Sequence, residues 1–235
     1  MFKKIIISLK FCRSILSIFI NPFFLHRRAL NIFIKKHSLS CKSNDVILDV
    51  GCGEMPYKDL FSHTKYIGTD ILTSGRELNR KTPTFWSDGE TIPLKENSCS
   101  QVLLIEVMEH IYNPDNLLSE VKRVLSSNGT LLITTPFFWP IHESPFDYKR
   151  YTKYSMHQLL EESGFNFVKS EETGNIFVSF FQTINSYLYF LAGKKLFILL
   201  LPLIIIFNFL GLILSLYTSK NNPFPLGYIT MGRKC

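Results

Sequence analysis

Val46-Ile-Leu-Asp-Val-Gly-Cys-Gly53 is the stretch on which the fold turns. Residues 46–50 are aliphatic except for Asp49, which predicts a buried parallel strand. The strand breaks at once into Gly-x-Gly, the way a doubly wound α/β sheet opens its nucleotide crevice. Gly51 permits a tight turn at positive φ, and Gly53 lets a backbone N–H approach a ligand with no Cβ in the way.

Working outward, a short helix is expected near residues 57–62. Lys65-Tyr-Ile-Gly-Thr-Asp70 then reads as a second strand ending in an acid, 21 positions beyond Asp49. An acid about 20 residues past a glycine turn is placed to accept hydrogen bonds from ribose hydroxyls. A short strand over 84–87 precedes Asp88-Gly89, and an apolar strand over 101–105 runs into Glu106-Val-Met-Glu-His110. Asn113-Pro114 starts a helix well, with Leu117, Leu118, Val121, Val124 and Leu125 as its core stripe. Asn128-Gly129 is expected to stop it before a strand over 130–135. Ser155 to Gln158 reads as a capping-box start, and Gly164 as the end of that helix. Strands over 165–172 and 226–234 complete the series. Strand and helix alternate, so the predicted class is α/β with a mostly parallel sheet.

These motifs together resemble the class I S-adenosylmethionine-dependent methyltransferases, over about residues 46–167. The resemblance rests on Asp49-Val-Gly-Cys-Gly53, Gly68-Thr-Asp70, Asp88-Gly-Glu-Thr-Ile-Pro93, Glu106-Val-Met-Glu-His110 and Gly129-Thr-Leu-Leu. It implies a Rossmann-like seven-stranded sheet whose last strand is antiparallel, and S-adenosylmethionine as cofactor. It implies that Asp49, Gly51 and Gly53 line the methionine end, that Asp70 holds the ribose, and that Asp88 meets the adenine amino group. Cys52, Ile71, Gly89 and Glu106 complete the implied cofactor set. The usual third glycine is replaced near Met55-Pro56, and the usual Phe-Asp pair before the fourth strand is Cys99-Ser100. The aromatic loop Pro136-Phe-Phe-Trp-Pro-Ile-His-Glu-Ser-Pro-Phe-Asp-Tyr-Lys-Arg-Tyr-Thr152 resembles a bacterial branch associated with surface-polysaccharide clusters.

The charge of +7 is local. Residues 1–44 hold nine basic side chains and no acid, while residues 45–235 set 17 basic against 19 acidic ones. High pI is therefore no argument for nucleic-acid binding by the core. Five scattered cysteines without a Cys-x-x-Cys pair argue against a disulfide framework or a structural zinc, and fit a reducing compartment. In the N-terminal arm, Lys10 and Arg13 interrupt the apolar region and no small-residue cleavage site follows, which disfavours a secretory signal. A basic helix pair separated by Pro22 on an anionic membrane surface fits better. Residues 196–218 carry no charge, long enough to span a bilayer. A single crossing would strand the last strand across the membrane. A hydrophobic hairpin bent at Pro202, Asn208 or Gly211 and held in one leaflet at the cytoplasmic face is therefore expected over a single-pass span. The expected domains are a basic arm over 1–44, a methyltransferase domain over 45–174 plus 223–235, and a membrane-associated insertion over 175–222.

Methyl transfer to a sugar hydroxyl calls for a base, and His142 in the crevice loop and His110 past the fourth strand are the candidates. Glu106, Glu109 and His110 at i, i+3 and i+4, with His142, also resemble the metal-assisted small-RNA 3′-end methyltransferases. Glu-Val-x-Glu-His recurs in metal-free relatives, so no metal is expected. The expected activity is O-methylation of a glycan or lipid-linked sugar at the membrane. The alternatives are quinone or lipid methylation, or a catalytically silent module of a polysaccharide assembly system. No nucleic-acid partner is expected, and oligomeric state is not legible.

Overall fold

A computed structural model of the 235-residue chain describes residues 19–72, 83–192, 194–217 and 222–235. The first helix of the expected N-terminal pair lies outside the described residues. In chain order the elements are α1 (Phe24–Ser38), β1 (Val46–Val50), β2 (Lys65–Asp70), β3 (Phe85–Trp86), β4 (Cys99–Ile105), α2 (Pro114–Val124) and β5 (Leu125–Pro136). They are followed by α3 (Lys153–Glu162), β6 (Phe165–Thr173), α4 (Ile176–Leu191), α5 (Lys194–Leu214) and β7 (Gly227–Lys234). The stretch expected as a helix after β1 is only a 3₁₀ turn, Lys58–Phe61.

The seven strands form one sheet in the order β3-β2-β1-β4-β5-β7-β6. Neighbours from β3 to β5 pair in parallel. β7 inserts antiparallel between β5 and β6, making the sheet mixed. Strand order reverses at β1, with β2 on one side and β4 on the other, so a crevice opens beyond the carboxyl ends of β1 and β4. Register brings those ends level: Val50 lies opposite Thr69 of β2 and Leu104 of β4. One face is packed by α2, whose Leu117, Leu118, Val121 and Val124 sit with Leu48, Val102, Leu104, Leu131 and Ile133 in the main core. That stripe follows the 3.6-residue period read from the sequence.

Two starts differ from expectation. Asn113 occupies the N-cap of α2, but its side chain makes no capping bond; Pro114 at the first position serves instead. The capping box of α3 is Thr152 with Ser155, each side chain bonding the other's backbone N–H, not Ser155 with Gln158. Thr152 has the extended backbone an N-cap needs, leaving Ser155 as the third helical residue.

The chain divides into two compact units. One holds residues 33–137, 141–171 and 228–235, hence nearly all of the sheet. The other, among described residues, holds 19–32, 138–140 and 172–227. The beginning of the basic arm thus groups with the hydrophobic insertion, and its end with the sheet.

Within the second unit, α4 and α5 form an antiparallel pair, with Asn175 against Leu214, Phe181 against Phe207 and Tyr189 against Phe197. This corrects the expected bend within 196–218: α5 runs unbroken through Pro202, and the hairpin closes between the two helices. Asn208 bonds rather than bends. Its amide donates to the carbonyls of Phe19 and Asn21, and its Oδ1 accepts from Asn185. Gln182 accepts from the His26 N–H and donates to the Pro22 carbonyl. Gly211 allows this packing, because a Cβ there would lie 2.6 Å from Leu25 Cδ1. Polar groups therefore sit inside this unit, while Phe180, Phe190, Leu199, Ile206 and Phe209 stand exposed.

Candidate active site

Five loops meet at the carboxyl rim of the sheet. The first is the glycine turn after β1. Gly51 takes φ 74°, and a Cβ there would lie 2.4 Å from Val107 Cγ2, so no other residue fits without moving the loop after β4. The N–H groups of Gly51 and Cys52 both donate to the Thr69 carbonyl, tying the turn to β2. Cys52 points its side chain inward against Gly68, and burial beside Asp49 and Asp70 pushes its thiol up to about 12. The thiol serves as packing and also lies 3.7 Å from the Gly53 carbonyl of the turn. Met55 holds φ 52° where the usual glycine is missing, with its side chain buried beneath β2.

Asp70, at the end of β2, carries the turn. Its Oδ2 accepts from the Gly53 N–H at 2.6 Å and its Oδ1 from the Ile71 N–H at 2.7 Å. Ile71 and Leu72 beyond it are exposed, an apolar surface at the rim. Asp49 lies deeper and buried, receiving the Tyr66 hydroxyl. Desolvation, offset in part by that hydrogen bond and reinforced by Asp70, raises its carboxyl to about 7. After β3, exposed Asp88 accepts from the N–H groups of Glu90 and Thr91, closing a turn around Gly89.

After β4 the chain enters φ 55° at Glu106. The Glu106 N–H donates to Thr134, whose hydroxyl in turn donates to the Glu106 carboxylate at 2.9 Å. This conformation breaks the expected helical turn. Only Met108–His110 forms a 3₁₀ turn, so Glu106 does not share a face with Glu109 and His110. His142, from the loop after β5, joins those two instead. The rings of His110 and His142 meet edge to face with centroids 4.7 Å apart. His110 Nδ1 lies 2.9 Å from the Phe146 carbonyl. His142 Nδ1 lies 3.2 Å from Asp147 Oδ2, and Asp147 also accepts from the His142 N–H. Both carboxylate oxygens of Asp147 are gripped by Arg150. Although burial opposes it, Arg150 and the His142 contacts hold the Asp147 carboxyl down at about 2.

Glu109 sits wholly buried between the imidazoles, 3.8 Å from His110 Nε2 and 3.9 Å from His142 Nε2. Burial first, then the Glu106 charge, pushes its carboxyl well above the usual range. The partners that position this site were not singled out in the sequence: Tyr66 under Asp49, Thr134 under Glu106, and Arg150 behind Asp147. Asp147-x-x-Arg150, opposite charges three apart in a long loop, was the one local signal.

Residues 48–133 match the family described as "Methyltransferase domain". A probable S-adenosylmethionine-dependent methyltransferase of Mycolicibacterium smegmatis is 28% identical over 149 residues, covering 58% of this chain and 56% of that protein. An uncharacterized protein of Methanocaldococcus jannaschii is 29% identical over 105 residues, 44% of this chain and 45% of that one. The chain spans about half the length of the curated relatives it matches. Among solved structures, a SAM-dependent methyltransferase from Archaeoglobus fulgidus superposes with a TM-score of 0.57 at 17% identity, over 88% of this chain and 94% of that one, a likeness of fold. The match of residues 48–133 to a methyltransferase domain, with these relatives, implies S-adenosylmethionine as the cofactor. The rim fits that group. It offers a side-chain-free turn at Gly51 and Gly53, a carboxylate at Asp70 and apolar surface at Ile71.

Proposed function

We propose that the protein methylates a hydroxyl of a glycan or lipid-linked sugar at the cytoplasmic face of a membrane. The observation that carries this reading is the imidazole pair beside the cofactor rim, each ring oriented through Nδ1 by an acceptor. A hydroxyl is a poor nucleophile until its proton is taken, and an imidazole in reach is the group for that near neutral pH. S-adenosylmethionine supplies a methyl group activated by its sulfonium charge. The chain has to hold the donor and the acceptor hydroxyl in line. In this reading Asp70 holds the ribose, with Asp49, Gly51 and Gly53 at the methionine end and Asp88 at the adenine. His142, held by Asp147 and Arg150, receives the acceptor proton, and His110 orders the other side of the hydroxyl.

The test supplies purified protein with methyl-labelled S-adenosylmethionine and, separately, membrane and glycan fractions of the source cell. Label is expected in glycan or lipid-linked glycan. His142→Ala should lower transfer by about 10²–10⁴-fold while leaving cofactor binding intact, the range for a general base. Label confined to quinone or lipid would replace this acceptor class, and transfer unchanged in His142→Ala would sink the proposed base.

Membrane attachment is supported by the exposed apolar surface of α4 and α5. α5 is about 31 Å long and α4 about 24 Å at 1.5 Å per residue, against a hydrocarbon core of about 30 Å. The helices leave from β6 and return to β7, strands paired in one sheet, so the chain between them crosses any bilayer an even number of times. With α4 too short to cross, a hairpin seated in one leaflet is the better reading. Leu199→Arg with Ile206→Arg is expected to shift the protein from floating with anionic liposomes to the soluble fraction, since each buried arginine costs about 2.5–3.5 kcal/mol. Unchanged flotation of a folded double variant would remove the hairpin as anchor.

A further inference from the structure

We infer that a cavity at the end of the α4–α5 pair where the chain enters and leaves binds the phosphate of one anionic membrane lipid through Arg28. The inference rests on the reading of α4 and α5 as seated in a leaflet, and gives that unit a lipid it holds singly. The cavity measures about 240 Å³ and lies wholly within the second unit. Its apolar wall is Leu25 of α1, Val178 of α4 and Leu212 of α5. Its polar wall is Arg28, Asn175 and Ser215.

Charge selects the ligand. The segments that make up this unit, 1–32, 138–140 and 172–227, carry nine lysines and arginines and one acid, Glu172. Arg28 is exposed, and among the described residues its guanidinium has no hydrogen-bond or ion-pair partner. A guanidinium clasps a phosphate through two parallel N–H groups. The backbone acts in the same sense. Asn175 accepts from the Val178 N–H through Oδ1 and from the Ser179 N–H through its carbonyl. Among the described residues, the Ile176 and Phe177 N–H groups of the same first turn have no acceptor. The opposing carbonyl end of α5 is already satisfied, because Asn175 Nδ2 donates to the carbonyls of Leu214, Ser215 and Tyr217. The positive end of α4 and Arg28 therefore set the sign of this wall.

Size and rim favour a lipid over free phosphate. A cavity of about 150 Å³ holds benzene, so this one takes about ten non-hydrogen atoms, a phosphodiester with its first carbons. The rest of the lipid has a surface to lie on: Ile176, Phe177, Leu216 and Tyr217, chain neighbours of the polar wall, stand exposed. Apolar surface beside an arginine suits the headgroup level of a bilayer, where the cation meets phosphate and the chains run along the helices. A soluble anion has no use for that rim.

The test titrates the delipidated full chain, held in nonionic detergent, with phosphatidylglycerol and counts retained lipid by native mass spectrometry. One lipid per chain is expected. Arg28→Ala should weaken retention about 10–100-fold, the range for a lost charge-assisted contact. Arg27→Ala removes a neighbouring exposed charge that does not line the cavity, and should weaken it about 5-fold at most. Ala29 also lines the cavity. Ala29→Leu keeps every charge but fills the space, guards against a folding failure of the arginine variant, and should weaken retention about 10-fold or more. Phosphatidylcholine, which sets a cation beside the same phosphate, should be held about 10-fold less tightly. The inference is overturned by Arg28→Ala binding no more weakly than Arg27→Ala, by Ala29→Leu binding like wild type, or by equal retention of the two lipids. Release of the lipid by excess inorganic phosphate would make this a site for the free anion and overturn the lipid. Wild-type protein that floats with phosphatidylglycerol vesicles yet retains no lipid leaves the leaflet reading standing and overturns the cavity alone, whereas failure to float overturns both.

Discussion

Replacing Asp70 with alanine is expected to weaken S-adenosylmethionine binding by about 100-fold or more, because two charge-assisted hydrogen bonds at about 1.5–3 kcal/mol each are lost together. Asp70 acts twice. Toward the protein, its carboxylate accepts the Gly53 and Ile71 N–H groups and so fixes the glycine turn. In the proposed reading its remaining lone pairs also face the ligand, where ribose hydroxyls need acceptors. Asp70→Asn keeps one acceptor oxygen, so its loss should be nearer 10-fold, about 1.4 kcal/mol. Calorimetric titration at one pH, with circular dichroism to show that both variants fold, reads the difference. Binding by Asp70→Ala within about 3-fold of wild type would mean the ribose is held elsewhere and that the β2 acid serves the turn alone.

That prediction was available from the sequence, and the reason is physical. A strand, a glycine turn and an acid at the next strand end are local patterns, each set by backbone geometry within a few residues. The α2 stripe was legible for the same reason: Leu117, Leu118, Val121 and Val124 repeat with the helix and are all buried. What escaped was set by tertiary approach. Nothing local tells that Tyr66 reaches Asp49, or that Thr134 both accepts from and donates to Glu106. The helical spacing of Glu106, Glu109 and His110 misled because one residue at φ 55° takes Glu106 off that face. Asn208 misled in the opposite sense. In an apolar run it looked like a place to bend, whereas it ties α4, α5 and residues 19–21 together. A polar residue in such a run marks a bond to an unseen partner as readily as a break.

The substitution Asp49→Asn should give a more stable protein than the natural sequence above neutral pH. The folded-state carboxyl of Asp49 stands at about 7, chiefly through desolvation, against about 3.9 for an exposed aspartate. A raised carboxyl means that the folded chain holds its proton more tightly than the unfolded one. The contribution of Asp49 to stability is therefore intact below about pH 4 and declines as pH rises toward 7. Beyond that it is flat at its lowest. Three pH units at 1.36 kcal/mol each give a penalty of about 4 kcal/mol. The amide variant escapes it but accepts a weaker bond from Tyr66, so a net gain of about 2–3 kcal/mol is expected at pH 8. Near pH 4 the two proteins should differ little. Thermal unfolding at the two pH values measures this, and an Asp49→Asn protein less stable than wild type at pH 8 would overturn the desolvation account. A buried acid that weakens the fold near neutral pH points to a use for its charge, and in the proposed reading S-adenosylmethionine brings a sulfonium and an ammonium to this rim. If those charges reach Asp49, binding near pH 7 drives off its proton. The calorimetric heat will then depend on the ionisation enthalpy of the buffer, and that dependence will vanish in Asp49→Asn.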